Sequence, residues 1–260
     1  MLEVRNLSFS YGRSEVLSEL DFSVNKGEFV SVLGPNGVGK STLFKCILGT
    51  LPGYSGDILI EGKNTREMSG RELSGYIAYI PQIHRPTFGY SVLDTVLMGL
   101  TRQLSPFAGP KAEHREKAEA ALERFGIEKL RDRNFATLSG GEQQLVLAAR
   151  AVAQEAEILI MDEPTSALDF GNQYRVLEQI RRLTGDGYTV LLSTHNPQHA
   201  MSFADRILAL SAGRIAAFGA PEDIFDSELV KRLYGIEAEF ADTGSGRIMI
   251  PKISGRRAEG

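Results

Sequence analysis

The sequence predicts an α/β fold organised around a phosphate-binding loop, with an N-terminal antiparallel β layer and an inserted α-helical subdomain. Three observations carry that expectation. The stretch Gly34-Pro35-Asn36-Gly37-Val38-Gly39-Lys40-Ser41-Thr42 fits G-x-x-x-x-G-K-[ST] between an apolar run, Phe29–Leu33, and a helical stretch, Ser41–Leu48. Two later apolar runs, Ile158–Met161 and Thr189–Ser193, read as short strands buried on both faces. Residues 83–134 hold two stretches of helical period and look like a helical insertion in that domain.

Taken in order, residues 2–9 loosely alternate apolar and polar, as a half-exposed strand does, and Tyr11-Gly12 turns the chain. A second short strand near Asp21–Val24 closes at Lys26-Gly27-Glu28, before Phe29–Leu33. After the first helix, the turn cluster Pro52–Gly56 leads into a strand at Asp57–Ile60. Tyr76–Ile80 is another buried strand, and prolines 81 and 86 with Gly89 make the following segment a loop. From Ser91 the pattern is helical, with Val92, Val96 and Leu100 on one face, until Ser105–Pro110 breaks it. Ala118, Ala121, Leu122 and Phe125 then give residues 111–125 one buried helical face.

A helix opening at Ser139-Gly140-Gly141 and running to about Gln154 is expected to bury Leu145, Ala148, Ala149 and Val152. Gly171–Leu183 is helical through Val176, Leu177, Ile180 and Leu183. A short helix follows Asn196-Pro197, Ile207–Leu210 and Arg214–Phe218 form a hairpin, and Pro221–Phe225 and Ser227–Tyr234 are short helices. From Gly235 onward the sequence carries little information. The core is therefore placed at 1–82 and 135–235, the helical subdomain at 83–134 and a C-terminal tail at 236–260.

Composition narrows the partners. Formal net charge is −4 and the pI about 5.7, against the basic excess that nucleic-acid binding calls for, so no nucleic acid is expected. Lys252, Arg256 and Arg257 read as a solvated end rather than a binding arm. One cysteine, Cys46, allows no internal disulfide and suits a reducing compartment. No apolar run approaches the roughly 18–20 residues of a membrane span, so a cytoplasmic chain, attached to a membrane only through another one, is expected.

The chemistry starts in the loop. Its glycines let backbone N–H groups close around phosphate oxygens, Lys40 reaches the β- and γ-phosphates, and Ser41 offers a hydroxyl to Mg²⁺. Asp162 and Glu163 stand at the carboxyl end of a buried strand, where open parallel sheets bind ligands. His195 and His199 are four residues apart, but Asn196-Pro197 breaks the helix between them and no third ligand is evident, so no metal is expected there. The loop alone leaves small-molecule kinases, GTPases and helicases open.

Leu138-Ser139-Gly140-Gly141-Glu142, ahead of the strand carrying Asp162 and Glu163, together with Gln82 and His195, resembles the ATP-binding subunit of ABC transporters over about residues 1–235. The resemblance implies that Tyr11 stacks on adenine, that Gln82 approaches Mg²⁺ and the attacking water, and that Ser139, Gly140 and Gly141 form the signature loop. It further implies that Asp162 joins the magnesium shell, that Glu163 is the general base, that Asp169 belongs to a loop crossing to the partner subunit, and that His195 contacts the γ-phosphate. ATP and Mg²⁺ would be the cofactors. Two copies would pair head to tail, with ATP between Lys40 of one and Ser139 of the other, and two membrane permease subunits would dock near Ile83–Phe88.

Tyr79–Gln82, Ser91–Gly99 and Gln144-Leu145-Val146 are similar to importers of iron-siderophores, haem, cobalamin and oxyanions such as molybdate. Leu145 stands where the wider family commonly has arginine. Such an importer implies an extracytoplasmic substrate-binding protein and a peripheral place on the cytoplasmic face of the inner membrane. A soluble, non-transport ABC protein, an importer of an unrelated solute and a cassette that only binds ATP are the alternatives.

Overall fold

A computed structural model describes residues 1–82, 89–103, 109–244 and 246–252. The predicted docking segment Ile83–Phe88 and the terminal Arg256 and Arg257 lie outside them.

The N-terminal layer is a four-stranded antiparallel sheet of β1 (Leu2–Tyr11), β2 (Ser14–Val24), β4 (Ser55–Ile60) and the two-residue β5 (Lys63–Asn64), in the order β2-β1-β4-β5. The central sheet has six strands in the order β10-β9-β3-β8-β7-β6, where β3 is Phe29–Leu33, β6 Ile77–Ile80, β7 Ile158–Asp162, β8 Thr189–Thr194, β9 Arg206–Ser211 and β10 Arg214–Gly219. Five of them run parallel, and β10 adds an antiparallel edge.

Every residue of β3, β7 and β8 is buried, and their alternation divides the interior. Phe29, Leu159, Met161, Val190 and Leu192 pack with α3 (Val92–Leu97), α4 (Ala112–Arg124), α5 (Gly140–Ala153) and α6 (Phe170–Gly185). Val30, Val32, Ile158, Ile160 and Leu191 face the other way, against α1 (Lys40–Ile47) and the N-terminal layer. One sheet thus carries the helices on one face and the antiparallel layer on the other, and its carboxyl edge is left for chemistry.

Four differences from the expectation have local causes. β2 begins at Ser14, because Leu17 and Leu20 are buried while Glu19 at φ 52° interrupts the alternation that would reveal them. A helix not expected from the pattern, α2 (Gly70–Tyr76), is capped by Ser69, which accepts from the Glu72 N–H at 3.2 Å; S-x-x-E was its signal. On α5, Leu145 is only half-buried, while Val146 and Leu147 take fully buried positions. Beyond Gly235 the chain forms a hairpin, β11 (Ala238–Thr243) with β12 (Gly246–Pro251), and Lys252 pairs with Glu239 at 2.9 Å rather than ending free. This hairpin packs beside α7 (Pro197–Phe203) and α9 (Ser227–Tyr234); α8 (Pro221–Ile224) precedes it.

Gly56 shows how tightly the antiparallel layer is closed. Its φ is +79°, and a Cβ there would lie 2.2 Å from the Asn6 carbonyl oxygen and 2.3 Å from that of Arg5. Gly56→Ala is expected to cost at least about 1–3 kcal/mol, the scale of a strained backbone site. Urea unfolding checks this, and an unchanged midpoint would refute it.

Candidate functional site

The loop between β3 and α1 is shaped by its own glycines and lysine. Gly39 precedes α1 at φ 110°, and a Cβ there would meet Leu17 Cδ2 at 2.7 Å and the Val16 carbonyl at 3.1 Å. A Cβ on Gly34 would lie 2.7 Å from the Leu210 carbonyl. No side chain caps α1 and its first turn carries no acid, so its amides and dipole are free to meet an anion. Lys40 is buried, and its Nζ donates back to the carbonyls of Gly34 at 2.8 Å and Pro35 at 3.1 Å, which curls the loop around it.

The acids arrive from β7. Asp162 ends the strand and Glu163 follows at φ 45°, a left-handed conformation unusual for a residue with a side chain. Such strain of about 1–3 kcal/mol persists only where surrounding bonds impose it. Here the Glu163 N–H donates to Ser193 Oγ at 2.9 Å, Ser193 Oγ donates to Asp162 Oδ1 at 2.6 Å, and Ser166 Oγ donates to the Glu163 carbonyl at 3.0 Å.

Three groups converge on the Glu163 carboxylate. Lys40 Nζ lies 3.2 Å from Oε1, Gln82 Nε2 donates to Oε2 at 3.2 Å, and His195 Nδ1 lies 3.1 Å from Oε2. Residues far apart in the chain thereby meet at one buried acid. In front of it lies a cavity of about 300 Å³, lined by Asn36, Gly37, Gly39, Lys40, Ser41, Thr42, Gln82 and Glu163. On β6, partial burial of Tyr79, with the charge of Asp162, pushes its phenol up to about 12.

The remaining predicted residues stand elsewhere. Tyr11 is half-exposed at the end of β1, edge-on to Phe9. Ser139 caps α5: its Oγ donates to Glu142 Oε2 at 2.7 Å and its N–H to the same oxygen at 2.8 Å, which holds the Glu142 carboxyl below its ordinary range. Asp169 caps α6, accepting from the N–H of Asn172 at 2.9 Å and from its Nδ2 at 2.8 Å, and these bonds lower its pKa. Gly141 abuts that same Asn172, so Ser139–Gly141 and Asp169 form a second cluster. Among the described residues, none of this cluster lines the cavity at Lys40, nor does Tyr11. Val38 and Pro35 belong to the loop without lining it.

Ser193 was missed. It sits at the end of an apolar strand, and nothing in its neighbours distinguishes it from a filler residue; its role exists only because β7 and β8 are adjacent.

Among the described residues no group of three or more His, Cys, Asp or Glu side chains is arranged to hold a metal. Ser41 at the start of α1, Gln82 and buried Asp162 suit Mg²⁺ instead, which takes few protein oxygens and fills its shell with water and phosphate.

A family model described as ABC transporter matches residues 17–166. The chain belongs to the ABC transporter family. Among ABC relatives, an iron chelatin transport ATP-binding protein of Helicobacter pylori is 42% identical over 221 residues, covering 82% of this chain and 87% of that protein. A hemin import ATP-binding protein of Myxococcus xanthus is 34% identical over 260 residues, covering 96% and 97%. A solved structure described as an inward-facing conformation of a metal-chelate type ABC transporter superposes with a TM-score of 0.86 at 35% identity, covering 97% of each chain. As an ABC ATP-binding chain it binds ATP, and its α/β fold with an antiparallel β layer is that of ABC ATPases. None of its described helices is long and apolar enough to cross a membrane.

Proposed function

We propose that this chain is the ATP-hydrolysing subunit of an importer of a metal chelate, an iron-siderophore above all, or of a related oxyanion. The convergence of Lys40, Gln82 and His195 on Glu163 beside the phosphate-binding loop carries the hydrolytic part. The relatives named for iron chelatin and hemin transport, and the metal-chelate type structure, support the class of cargo.

Glu163 is the general base for the attacking water, kept in place by its strained backbone and three side-chain partners. Lys40 and the amides of residues 36–42 bind the β- and γ-phosphates, His195 meets the γ-phosphate and Gln82 orients the water. Ser41, Gln82 and Asp162 hold Mg²⁺, which when bound neutralises charge on the phosphate oxygens. Tyr11 stacks on the adenine, its exposed ring at the end of β1 being free to do so.

The cluster of Ser139, Gly140, Gly141 and Asp169 serves the nucleotide of a second copy, which accounts for its separation from the cavity at Lys40. The ATPase core spans 1–82 and 135–235 with the helical subdomain at 83–134. Two permease subunits and an extracytoplasmic binding protein complete the assembly, and the chain sits on the cytoplasmic face of the inner membrane through them.

Deleting the gene and measuring uptake of labelled ferric siderophore, haem and molybdate tests the cargo. Loss of one of these uptakes, restored by the intact chain, is expected; unaltered uptake of all of them would refute the assignment. In the purified chain, EDTA should stop ATP hydrolysis and Mg²⁺ restore it.

A further inference from the structure

His195 reaches Glu163, yet its backbone is fixed from the C-terminal end of the chain, which takes no part in the roles above. We propose that the β11–β12 hairpin and α9, acting through Gln198 and Tyr234, hold His195 against Glu163, so that Gln198 and Tyr234 are positioning residues for hydrolysis. This rests on the reading of Glu163 and His195 as parts of the hydrolytic site.

Tyr234, the last residue of α9, donates its hydroxyl to the His195 carbonyl at 3.2 Å. Burial pushes its phenol pKa upward, so it remains a donor. Gln198, near the start of α7, uses both ends of its amide on β12. Its Nε2 donates to the Arg247 carbonyl at 3.1 Å and its Oε1 accepts from the Met249 N–H at 3.2 Å. Those two groups flank Ile248, so the side-chain amide occupies the place a residue of a neighbouring parallel strand would take.

The segment between these anchors has little slack. Asn196 Oδ1 accepts from the N–H groups of Gln198 at 3.0 Å and His199 at 3.3 Å, and its own N–H donates to Thr194 Oγ1 at 3.0 Å. Thr194 in turn pairs with Leu33, the last residue before the phosphate-binding loop. Underneath, Leu33, Ala200, Phe225, Leu229, Leu233 and Ala238 form one apolar core shared by β3, α7, α9 and the hairpin.

The His195 side chain is 47% exposed, and among the described residues Glu163 is its hydrogen-bond partner. Its aim is therefore set by its backbone. A shift of about 1 Å would carry the 3.1 Å contact beyond hydrogen-bond range.

The test uses the full chain, with Tyr234→Phe and Gln198→Ala, in ATP hydrolysis under single-turnover and steady-state conditions, alongside imidazole NMR signals assigned by His→Ala variants. Tyr234→Phe, which removes one hydrogen bond, is expected to lower kcat about 2- to 12-fold, and Gln198→Ala, which removes two, by at least as much. KM for ATP should stay unchanged, the His195 signal should move and the His114 signal should not. In a His195→Ala background, neither substitution should lower the single-turnover rate further. Wild-type kcat with an unmoved His195 signal would overturn the proposal, as would the same fold-loss with His195 absent. A His195→Ala chain with wild-type turnover would instead overturn the hydrolytic role of His195, leaving its NMR signal to decide the positioning.

Discussion

Glu163→Gln is expected to lower ATP turnover by about 10²–10⁴-fold while ATP binding survives. The amide is nearly isosteric and keeps an oxygen to accept from Gln82, but it cannot take a proton from water. It also removes the charge opposite Lys40, 3.2 Å away, which leaves that lysine free for phosphate. Phosphate release and a fluorescent ATP analogue measure the two quantities separately. Turnover within a few-fold of wild type would exclude Glu163 as the base. Because ATP then persists, a transporter assembled with the variant should stay in its ATP-bound conformation; an unchanged conformation on adding ATP would count against coupling through dimer closure.

The second large effect concerns Lys40. Lys40→Ala should weaken ATP binding by about 2–5 kcal/mol, or roughly 30- to 5,000-fold, because a buried cation that meets phosphate is lost. Combined with Ser139→Ala it also decides which copy completes the site. If the Ser139–Gly141 cluster serves a partner's nucleotide, a mixed dimer of a Lys40→Ala chain with a Ser139→Ala chain puts both lesions in one site and keeps the other intact. Pairing the double variant with a wild-type chain then damages both. If each chain completes its own site, the two outcomes exchange. ATPase rates of tagged, purified mixed dimers separate these cases.

Much of the site was legible because its parts are contiguous. Gly34–Thr42 announces itself by its glycines, of which Gly34 and Gly39 leave no room for a Cβ, and Asp162-Glu163 by standing at the end of an apolar run. The strands were readable because β3, β7 and β8 are buried on both faces, so apolar residues dominate each of them and only small hydroxyl residues and the terminal Asp162 interrupt the run. Where a strand bulges, as at Glu19, the period breaks and the element shortens in the reading. The C-terminal hairpin escaped because residues such as Glu239, Asp242 and Arg247 resemble a solvated tail until α7 and α9 supply a surface for Ala238 and Met249.

The sequence by itself determined the phosphate-binding loop, the α/β class, the central strands and the acids at the edge of the sheet, since each depends on neighbours within a few positions. Only the tertiary structure decided that Lys40, Gln82 and His195 share one carboxylate, that Ser193 imposes the backbone of Glu163, and that Ser139 stands apart from the cavity at Lys40. Those relations arise from the parallel pairing of β3, β8 and β7, which brings together loops that lie far apart along the chain.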